Sequence, residues 1–358
     1  MPKNKNKEII IQPNATILEG LKKMDYNRRK LLLVHDGIKY LGLLSIGDIQ
    51  RAIIKGIDIS SPVSMILRTD NIVALSETPI VEIKKLMMAI RAEFMPVVSN
   101  ENELLSVYFW EDLFIEKEIA PAKQFNLPIV IMAGGIGARL RPLTYVLPKP
   151  LIPIGDKTMM EEIFERFSKY GNDTFYISVN YKAELIEYYL RNQNLPYKMH
   201  FYKEETQMGT AGSLFLLKDR IKETFFVSNC DILIEQDYSE ILDYHKENKN
   251  EITLIAALKY FPIPYGTIES GKNGQLLSLR EKPEITFKIN SGMYILEPQL
   301  LAEIPKNQFF HITQLIEKVR KRKGKIGVFP VSEKSWKDIG SWEEYLKVAF
   351  NHKKENNV

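Results

Sequence analysis

Cysteine is almost absent from this chain of 358 residues. A single Cys230 excludes an intramolecular disulfide, so a secreted disulfide scaffold is not indicated, and we expect a reducing, cytoplasmic location. No apolar run approaches the roughly 20 residues that a membrane-spanning helix needs. The apolar stretch at residues 9–11 is interrupted by Gln12 and Asn14 before it could form the core of a signal peptide. We therefore expect no membrane partner.

Charge of one sign is also scarce, because 49 basic and 45 acidic side chains leave a net charge of only +4. Such a balance gives no overall field for nucleic acid, and the basic run at residues 318–325 is interpreted as a solvated helix end followed by a turn. The five histidines include no pair spaced i, i+4, so no zinc site is suggested. Small anionic ligands remain compatible with this composition.

The first third of the chain contains an internal repeat, formed by residues 14–48 and 77–112. Each copy has an amphipathic helical pattern, an apolar strand, a short hairpin and a second helix that an aspartate opens, Asp48 in the first copy and Asp112 in the second. One copy alone could not bury its apolar face. We therefore expect the two copies to pack together as one module.

This paired unit resembles the tandem CBS module, an α+β module that commonly binds adenine nucleotides and regulates an attached enzyme. In that family, the aspartate of a Gly-x-x-Ser/Thr-x-x-Asp motif holds the ribose of the nucleotide. Gly42, Ser45 and Asp48 match this motif in the first copy, whereas the second copy keeps only Asp112. The resemblance implies a regulatory module over residues 1–118.

The second copy departs from the motif at two positions, because Ser106 replaces the glycine and the bulky Phe109 replaces the small hydroxyl residue. We therefore expect one dominant adenine-nucleotide site, in the first copy. The alternative is an adapter or dimerisation surface without a ligand.

A polar segment at residues 119–127, punctuated by prolines, predicts a linker to a second domain at residues 128–358. In that domain strand patterns alternate with helical patterns. The strands are expected at 129–132, 175–179, 225–228 and 252–258, and the helices at 159–170 and 182–190. This alternation predicts an α/β domain with a largely parallel sheet and a ligand crevice at the carboxyl ends of its strands.

A glycine-rich loop follows the first of these strands. Without side chains, its backbone amides can approach phosphate oxygens closely. The expected nucleotide contacts are Ala133, Gly134, Gly135 and Gly137. A dinucleotide fingerprint would need a third glycine where Leu140 stands, and a P-loop would need Gly-Lys-Ser/Thr, which does not follow.

The segment after the loop reads RLRPLT at residues 139–144 and then PKP at residues 148–150. The prolines disfavour a helix directly after the loop, so we expect an extended segment that presents Arg139 and Lys149 to the phosphates. Loop and segment together closely resemble the signature of the sugar nucleotidyltransferases. The resemblance implies a Rossmann-like nucleotidyltransferase domain with a mixed, mainly parallel sheet, which joins a nucleoside triphosphate to a sugar 1-phosphate and releases pyrophosphate.

The resemblance extends toward the end of the chain. Gly209 and Thr210 match the segment that contacts the nucleotide base, and Asp231 and Asp338 match two aspartates that bind magnesium in the family. The segments that hold the sugar and its phosphate are matched by Glu281, Lys282 and Asn290.

Both substrates of this reaction are anions, so their repulsion must be cancelled before attack, with little need for a protein nucleophile. Mg²⁺ prefers carboxylate and phosphate oxygens, so Asp231 and Asp338 could hold it together with the phosphates and water. The planar fork of Arg139 suits the leaving pyrophosphate, and the point charge of Lys149 suits the phosphate region between the two substrates.

Each of these residues has a plainer alternative role. Asp231 could cap the following helix, Asp338 could hold a turn, and Glu281 and Lys282 could form an ordinary exposed pair. Cys230 has no histidine near it in the sequence and no use in this reaction, so we expect it to pack behind the metal site.

The base and the sugar do not follow from the spacing of the motifs. A CBS pair joined to this transferase resembles the glucosamine-1-phosphate guanylyltransferases of legionaminic acid synthesis, with mannose- and heptose-1-phosphate guanylyltransferases as neighbours. We therefore expect GTP and glucosamine 1-phosphate, with Glu204 accepting the N1 and N2 protons of guanine. Thymidylyl- and uridylyltransferases share the motifs and remain alternatives.

Two other classes of protein remain open. A nucleotide-sensing CBS protein with an inactive transferase is disfavoured because both aspartates and both phosphate-facing cations are present. A nicotinamide oxidoreductase is disfavoured by Leu140. A homo-oligomer is compatible with the sequence.

Overall fold

A computed structural model describes residues 8–68, 72–90, 92–113 and 122–355. The chain divides into two compact units, Met1–Pro121 and Ala122–Val358. The side chain of Asp112 and the first part of the predicted linker lie outside the described residues. The regulatory role of Asp112 and the boundaries of the linker therefore stay predictions.

The first unit contains two three-stranded sheets with the same strand order and the same sense. In each sheet a two-residue strand runs parallel to a central strand, with Ile10 beside Leu33 and Ala74 beside Val97, and the third strand pairs antiparallel. The elements are β1 Ile10–Ile11, α1 Ile17–Asn27, β2 Leu31–His35, β3 Tyr40–Ser45, α2 Ile46–Ile54, a 3₁₀ turn Val63–Ile66, β4 Ala74–Leu75, α3 Ile80–Ile90, β5 Phe94–Val98, β6 Leu104–Phe109 and α4 Trp110–Leu113. The internal repeat is therefore confirmed.

The two copies share one apolar core. Its buried members are Ile9, Leu33, Tyr40 and Leu43 from the first copy, and Phe94, Val98 and Phe109 from the second. The rings of Phe94 and Phe109 lie 5.8 Å apart. Because neither small sheet can cover its own apolar face, the copies bury these faces against each other, as expected from the repeat. Phe109 is thus a core residue of the module.

The second unit is built on a seven-stranded sheet of order β11-β10-β7-β12-β17-β14-β18. Its elements are β7 Ile129–Met132, a 3₁₀ turn Ala138–Leu140, α5 Leu143–Val146, a 3₁₀ turn Lys149–Leu151, β8 Pro153–Ile154, β9 Lys157–Thr158, α6 Met159–Ser168, β10 Thr174–Val179, α7 Ala183–Asn192, β11 Lys198–Lys203, α8 Gly209–Gly212, a 3₁₀ turn Ser213–Leu217, β12 Phe225–Asn229, β13 Ile232–Ile234, α9 Tyr238–Glu247, β14 Ile252–Pro262, β15 Thr267–Ser270, a 3₁₀ turn Lys272–Gly274, β16 Leu276–Arg280, β17 Glu284–Leu296, a 3₁₀ turn Pro298–Glu303, α10 Ile312–Lys321, β18 Ile326–Val331, β19 Trp336–Asp338 and α11 Trp342–Glu355.

Six strands of this sheet run parallel, and β17 runs antiparallel to both of its neighbours. The inner strand β7 is buried along Ile129, Val130 and Ile131, as expected for a strand covered on both faces. The predicted mixed, mainly parallel sheet of an α/β domain is therefore confirmed. The carboxyl ends of β7, β10, β11 and β12 share one edge of the sheet, where a ligand crevice is expected.

Residues 122–127, within the predicted linker, pack against the second unit. The ring of Phe125 stacks on Tyr170 and Phe226 at centroid distances of 5.4 and 5.5 Å, and the Leu127 amide donates to Asn172 Oδ1 at 2.9 Å. The apolar ring at position 125 thus anchors the start of this unit.

The basic run at residues 318–325 covers the end of α10 and the turn before β18, as predicted. Within it, the guanidinium of Arg322 pairs with the carboxylates of Glu251 and Glu303. In the residues that the structure describes, no helix combines the length and the apolar character needed to cross a membrane.

The aromatic packing beneath the sheet yields a stability prediction. Phe167 is fully buried, with its ring 5.4 Å from Phe226 and 4.8 Å from Tyr238. Phe167→Ala should lower the free energy of unfolding by about 3 to 5 kcal/mol, because it removes apolar contacts and leaves a cavity. Thermal unfolding should show this loss, whereas Tyr188→Ala, at a largely exposed aromatic residue, should change the midpoint little. Equal shifts in the two variants would contradict the proposed packing role.

Candidate functional site

The glycine loop follows β7 and begins beside the end of β10. The Ala133 amide donates to the Ser178 carbonyl at 2.9 Å, so the loop begins where β7 and β10 end. Gly137 has φ +69°, and a Cβ built on it would lie 2.9 Å from Thr144 Cγ2 and 3.2 Å from Lys149 Cβ. Only glycine allows this approach without strain, and the approach brings Lys149 against the loop.

The expectation of an extended segment after the loop is wrong. Residues Ala138–Leu140 form a 3₁₀ turn and Leu143–Val146 form the short helix α5, with Pro142 as its N-cap. Proline is tolerated at the start of a helix, where its missing amide proton costs no hydrogen bond. The prolines therefore divide this segment into short turns, and Arg139 and Lys149 still lie close to the loop.

The two predicted metal ligands lie next to each other. Asp231 lies two residues after the end of β12, and Ile232 pairs with Asp338 where β13 meets β19. The Ile339 amide also donates to the Asp231 carbonyl at 2.9 Å. Antiparallel pairing thus brings together two residues that are far apart in the sequence.

Gly340 lies at the point where three predicted catalytic side chains converge. A Cβ built on it would lie 2.6 Å from Asp338 Oδ1, 2.9 Å from Asp231 Oδ2 and 2.8 Å from Arg139 Nη2. Any side chain at this position would displace them. The sequence analysis considered only a turn at Asp338, so the role of Gly340 in leaving space for this convergence was missed.

Within this group, positive and negative side chains are in contact and offset each other's charge. The Lys149 ammonium forms an ion pair with Asp231 Oδ2, and both side chains are largely buried. Burial, and then the neighbouring Asp231, raise the pKa of Asp338, while the Gly340 amide, Lys149 and Arg139 act in the opposite direction. Asp338 therefore sits where a cation beside it would favour its charged form.

The structure also decides between the plainer roles considered for the aspartates. The helix after Asp231 is α9, and its N-cap is Asp237, so Asp231 does not cap it. Asp338 does hold a turn, since the Gly340 amide donates to its Oδ1 at 2.8 Å. This turn fixes the Asp338 carboxylate beside Asp231.

The chemistry of the donor set fits Mg²⁺. Two carboxylates at one point, one with a pKa raised by burial and by the other, are the hard oxygen ligands that this ion prefers. Among the described residues no group of three or more His, Cys, Asp or Glu side chains could hold a metal. Phosphate oxygens and water would therefore have to complete the coordination.

Cys230 lies between β12 and Asp231 and is buried. Burial raises the pKa of its thiol to about 12, so the thiol stays protonated near neutral pH and is a poor nucleophile. This agrees with the expected packing role behind the two aspartates.

The predicted base-contacting segment forms α8. Gly209 has φ +76°, and a Cβ on it would lie 2.8 Å from the Phe310 carbonyl oxygen, which accepts hydrogen bonds from the Ala211 and Gly212 amides at 3.0 Å each. Thr210 Oγ1 accepts from the Ile312 amide at 3.0 Å. Phe310 carries no recognisable sequence motif, yet its backbone fixes this segment.

Glu204 directly follows β11 and is buried. In the sequence it lies between the glycine loop and the segment that begins at Gly209. The Ser178 hydroxyl donates to its Oε1, and the Met208 amide donates to its Oε2 at 3.1 Å. A Cβ on Gly134 would lie 2.9 Å from Oε1. Glu204, the predicted base reader, is therefore in close contact with the glycine loop, and its part in base recognition remains a prediction.

The predicted sugar-phosphate residues lie on and beside β17. Asn290 Oδ1 accepts from the Gly292 amide at 3.2 Å, and Trp336 donates to the adjacent Ser291 carbonyl at 3.2 Å. Glu281 and Lys282 are exposed between β16 and β17. No contact among the described residues joins these two to Asp231, so their role stays a prediction.

In the first unit, Asp48 is buried and Ser45 is the N-cap of α2. Asp48 Oδ2 accepts from the Ser45 amide at 2.9 Å and from its hydroxyl at 2.6 Å, while Oδ1 pairs with Arg51 and with Arg68 Nε at 2.8 Å. A carboxylate offers about four acceptor positions, so these contacts use them all. A ribose hydroxyl at Asp48 would have to replace one of these partners.

Gly42 completes the predicted motif of the first copy. It lies in β3, opposite Val34 of β2, three residues before Ser45. The motif residues therefore occupy one strand and the start of the following helix, as the sequence pattern implied.

Comparison with known proteins covers both parts of the chain. The family model described as nucleotidyl transferase matches residues 129–355, and the CBS domain model matches residues 5–55. The chain is 36% identical over 182 residues to a mannose-1-phosphate guanylyltransferase catalytic subunit beta of Dictyostelium discoideum, which covers 49% of this chain and 51% of that protein. It is 32% identical over 225 residues to the protein of the same name from Danio rerio, covering 61% of this chain and 62% of that protein.

A solved structure also resembles the second unit in fold. The crystal structure of HddC from Yersinia pseudotuberculosis superposes with a TM-score of 0.50 and 25% identity, covering 63% of this chain and 99% of that one. The curated relatives above are matched over less than two thirds of their own length. Because the transferase model spans more than half of the sequence, the chain belongs to the nucleotidyl transferase family, and a CBS domain precedes its transferase unit.

Proposed function

We propose that this chain is a sugar-1-phosphate guanylyltransferase, which joins GTP to a sugar 1-phosphate with the help of Mg²⁺ and releases pyrophosphate. The observation that carries the proposal is the convergence of Arg139, Asp231 and Asp338 around Gly340, with Lys149 paired to Asp231. This cluster lies beside the glycine loop at the carboxyl edge of the sheet, where α/β proteins bind ligands.

The reaction brings two phosphate esters together, so the protein must offset their repulsion. Bound by Asp231 and Asp338, Mg²⁺ would neutralise charge on the triphosphate. Arg139 would hold the leaving pyrophosphate through its planar fork. Lys149, already against the loop, would place a fixed positive charge beside the reacting phosphates. Charges fixed in this way stabilise the transition state without reorganisation.

Two observations support guanine as the base. The relatives reported above are guanylyltransferases. Glu204 offers a buried carboxylate, and the Ser178 hydroxyl and the Met208 amide use only two of its roughly four acceptor positions. The remaining positions suit the N1 and N2 protons of guanine, which no pyrimidine base presents together.

Mannose 1-phosphate is the first sugar substrate to test, because the same relatives are named for it. The comparisons give no support to legionaminic acid synthesis. Glucosamine 1-phosphate therefore stays the second candidate, on the resemblance of a CBS pair joined to this transferase. Glu281, Lys282 and Asn290 are the residues proposed to hold the sugar and its phosphate.

The metal site predicts a loss of activity with the fold retained. Asp231→Asn and Asp338→Asn should each lower Mg²⁺-dependent pyrophosphate release by roughly 10²-fold or more, since an amide lacks the charge that holds the ion. Asp243→Asn, which changes an exposed aspartate paired with Lys123, should keep wild-type activity. Near-normal turnover of either site variant at saturating Mg²⁺ would remove that residue from the ligand set.

Base and sugar are tested with four nucleoside triphosphates crossed with mannose, glucosamine, heptose and glucose 1-phosphates, scored by pyrophosphate release. GTP should be preferred, and Glu204→Gln should reduce the preference for GTP over UTP, because a buried amide no longer accepts from two donors. Glu205→Gln, at the exposed neighbouring residue, is the matched control and should leave the preference unchanged. A GTP preference that survives Glu204→Gln would place base recognition elsewhere.

We also propose that the first unit binds an adenine nucleotide at one dominant site and thereby alters transferase activity. Calorimetry with AMP and ATP should give one equivalent bound to the wild type and none to Asp48→Ala. Glu19→Ala is the matched control, because it removes the analogous capping box at the start of α1 and should keep binding. Pyrophosphate release with and without the nucleotide tests the coupling. Absence of binding to the wild type would leave the unit as an assembly element.

A further inference from the structure

The carboxylate of Glu204 belongs to a buried polar cluster, which consists of Ser178, Tyr202, Glu204 and Ser213 and is called the Glu204 cluster below. Both serines are fully buried, and Tyr202 and Glu204 are nearly so. The Ser178 hydroxyl contacts Glu204 Oε1 and lies 3.1 Å from the Ser213 hydroxyl. Transferase chemistry uses none of these three hydroxyl groups, so their burial calls for another explanation.

The Ser178 hydroxyl lies at the centre of this cluster. A serine hydroxyl has one proton, and that of Ser178 is donated to Glu204, which as a carboxylate only accepts. The same hydroxyl also lies 3.1 Å from Ser213 Oγ, and Ser213 Oγ lies 4.0 Å from Met132 Sδ. Ser178 thus links Glu204 Oε1 to Ser213. Hydrogen bonds in such a chain polarise one another, which strengthens the bond to Glu204.

The cluster joins three segments that surround the proposed nucleotide site. Ser178 lies near the end of β10, and its carbonyl oxygen accepts a hydrogen bond from the Ala133 amide of the glycine loop. Ser213 directly follows α8. Glu204 directly follows β11, and Gly134 approaches its Oε1 so closely that a Cβ built on Gly134 would lie at 2.9 Å. Ser178 thus fixes Oε1 of the Glu204 carboxylate, and the Met208 amide fixes Oε2.

We infer that Ser178, supported by Ser213, is a positioning residue that sets base selectivity by holding the Glu204 carboxylate with its free acceptor positions toward the base. The inference rests on the proposed guanine readout. A buried carboxylate without Ser178 would either rotate or recruit water, and in both cases its two free acceptor positions would no longer match two fixed donors. Selectivity would fall although Glu204 itself is unchanged.

The sharpest probe is a pair of substrates that differ in one donor. ITP has the N1 proton of guanine but lacks the 2-amino group, so wild-type enzyme should prefer GTP over ITP by about tenfold or more in kcat/KM, as expected for one hydrogen bond to a charged group. Ser178→Ala should reduce this ratio to about threefold or less, mainly by raising KM for GTP. Ser213→Ala, one step farther from the carboxylate, should give an intermediate ratio.

Thr253→Val is the matched control. The Thr253 hydroxyl is also fully buried, and it belongs to a separate cluster in which it contacts His245 Nδ1 at 2.8 Å. Its removal should lower thermal stability as the serine variants do, but leave the GTP/ITP ratio at the wild-type value. A role of Ser178 in stability alone would make the two variants behave alike.

A wild-type ratio in folded Ser178→Ala, or an equal fall of kcat for both substrates, would overturn the inference. If Ser178→Ala does not fold, Ser178→Cys, which keeps the volume with a weaker donor, and Ser213→Ala decide the question by the same ratio. A wild-type enzyme that does not distinguish GTP from ITP or UTP would overturn the guanine readout itself. If instead the wild type prefers GTP and the serine variants keep that preference, only the role of Ser178 is overturned, and the guanine readout stands.

Discussion

The candidate active site depends on two aspartates that are held side by side although their charges repel. The pairing of β13 with β19 forces Asp231 and Asp338 together, and Lys149 and Arg139 offset the cost. The four side chains are close to neutral as a group. A divalent cation alone would unbalance this group, and so would a triphosphate alone, whereas a cation bound to a triphosphate brings both signs of charge together. If the site binds Mg²⁺ and a triphosphate as proposed, its electrostatics would favour their joint arrival.

Glycine makes this arrangement sterically attainable. Gly340 leaves room for three charged groups, Gly137 lets Lys149 reach the loop, and Gly134 lets the loop approach Glu204. In each case the clash would be with the side chain of another segment, so the requirement is tertiary. The glycine loop is thus the element against which the segments that carry Glu204 and Lys149 are packed, beside the proposed phosphate site.

Much of the fold follows from local patterns in the sequence. The buried run of β7 and the alternation of strands with helices predicted the sheet, and the repeat predicted two copies sharing a core. Local patterns failed where distant segments decide the outcome. The β14 strand continues to Pro262 because β17 pairs with it along its whole outer half, and the sequence pattern indicated an end at residue 258.

The same limit applies to the site. Asp231, Asp338, Arg139 and Lys149 lie in motifs that can be recognised in the sequence, and the structure brings them together. Ser178 and the Phe310 carbonyl lie outside the recognised motifs, and each acts through a partner at least 26 residues away, so no periodicity or spacing could reveal them. The prediction of an extended segment after the loop failed for a local reason. Proline breaks a helix in its interior, but Pro142 here stands at the N-cap of the short helix α5.

Regulation through the first unit has a physical requirement that Asp48 can meet. A ligand shifts a protein between two states only if it binds them unequally. Asp48 already bonds to Ser45, Arg51 and Arg68, so a ribose that leaves the Ser45 bonds intact can enter only by exchanging an arginine for a hydroxyl. The displaced guanidinium must then find another anion, and the phosphate of the same nucleotide is the nearest candidate in charge and chemistry. Nucleotide binding at Asp48 would thus require Arg51, within α2, or Arg68 to move, and regulation would require that this movement differ in cost between two states of the unit.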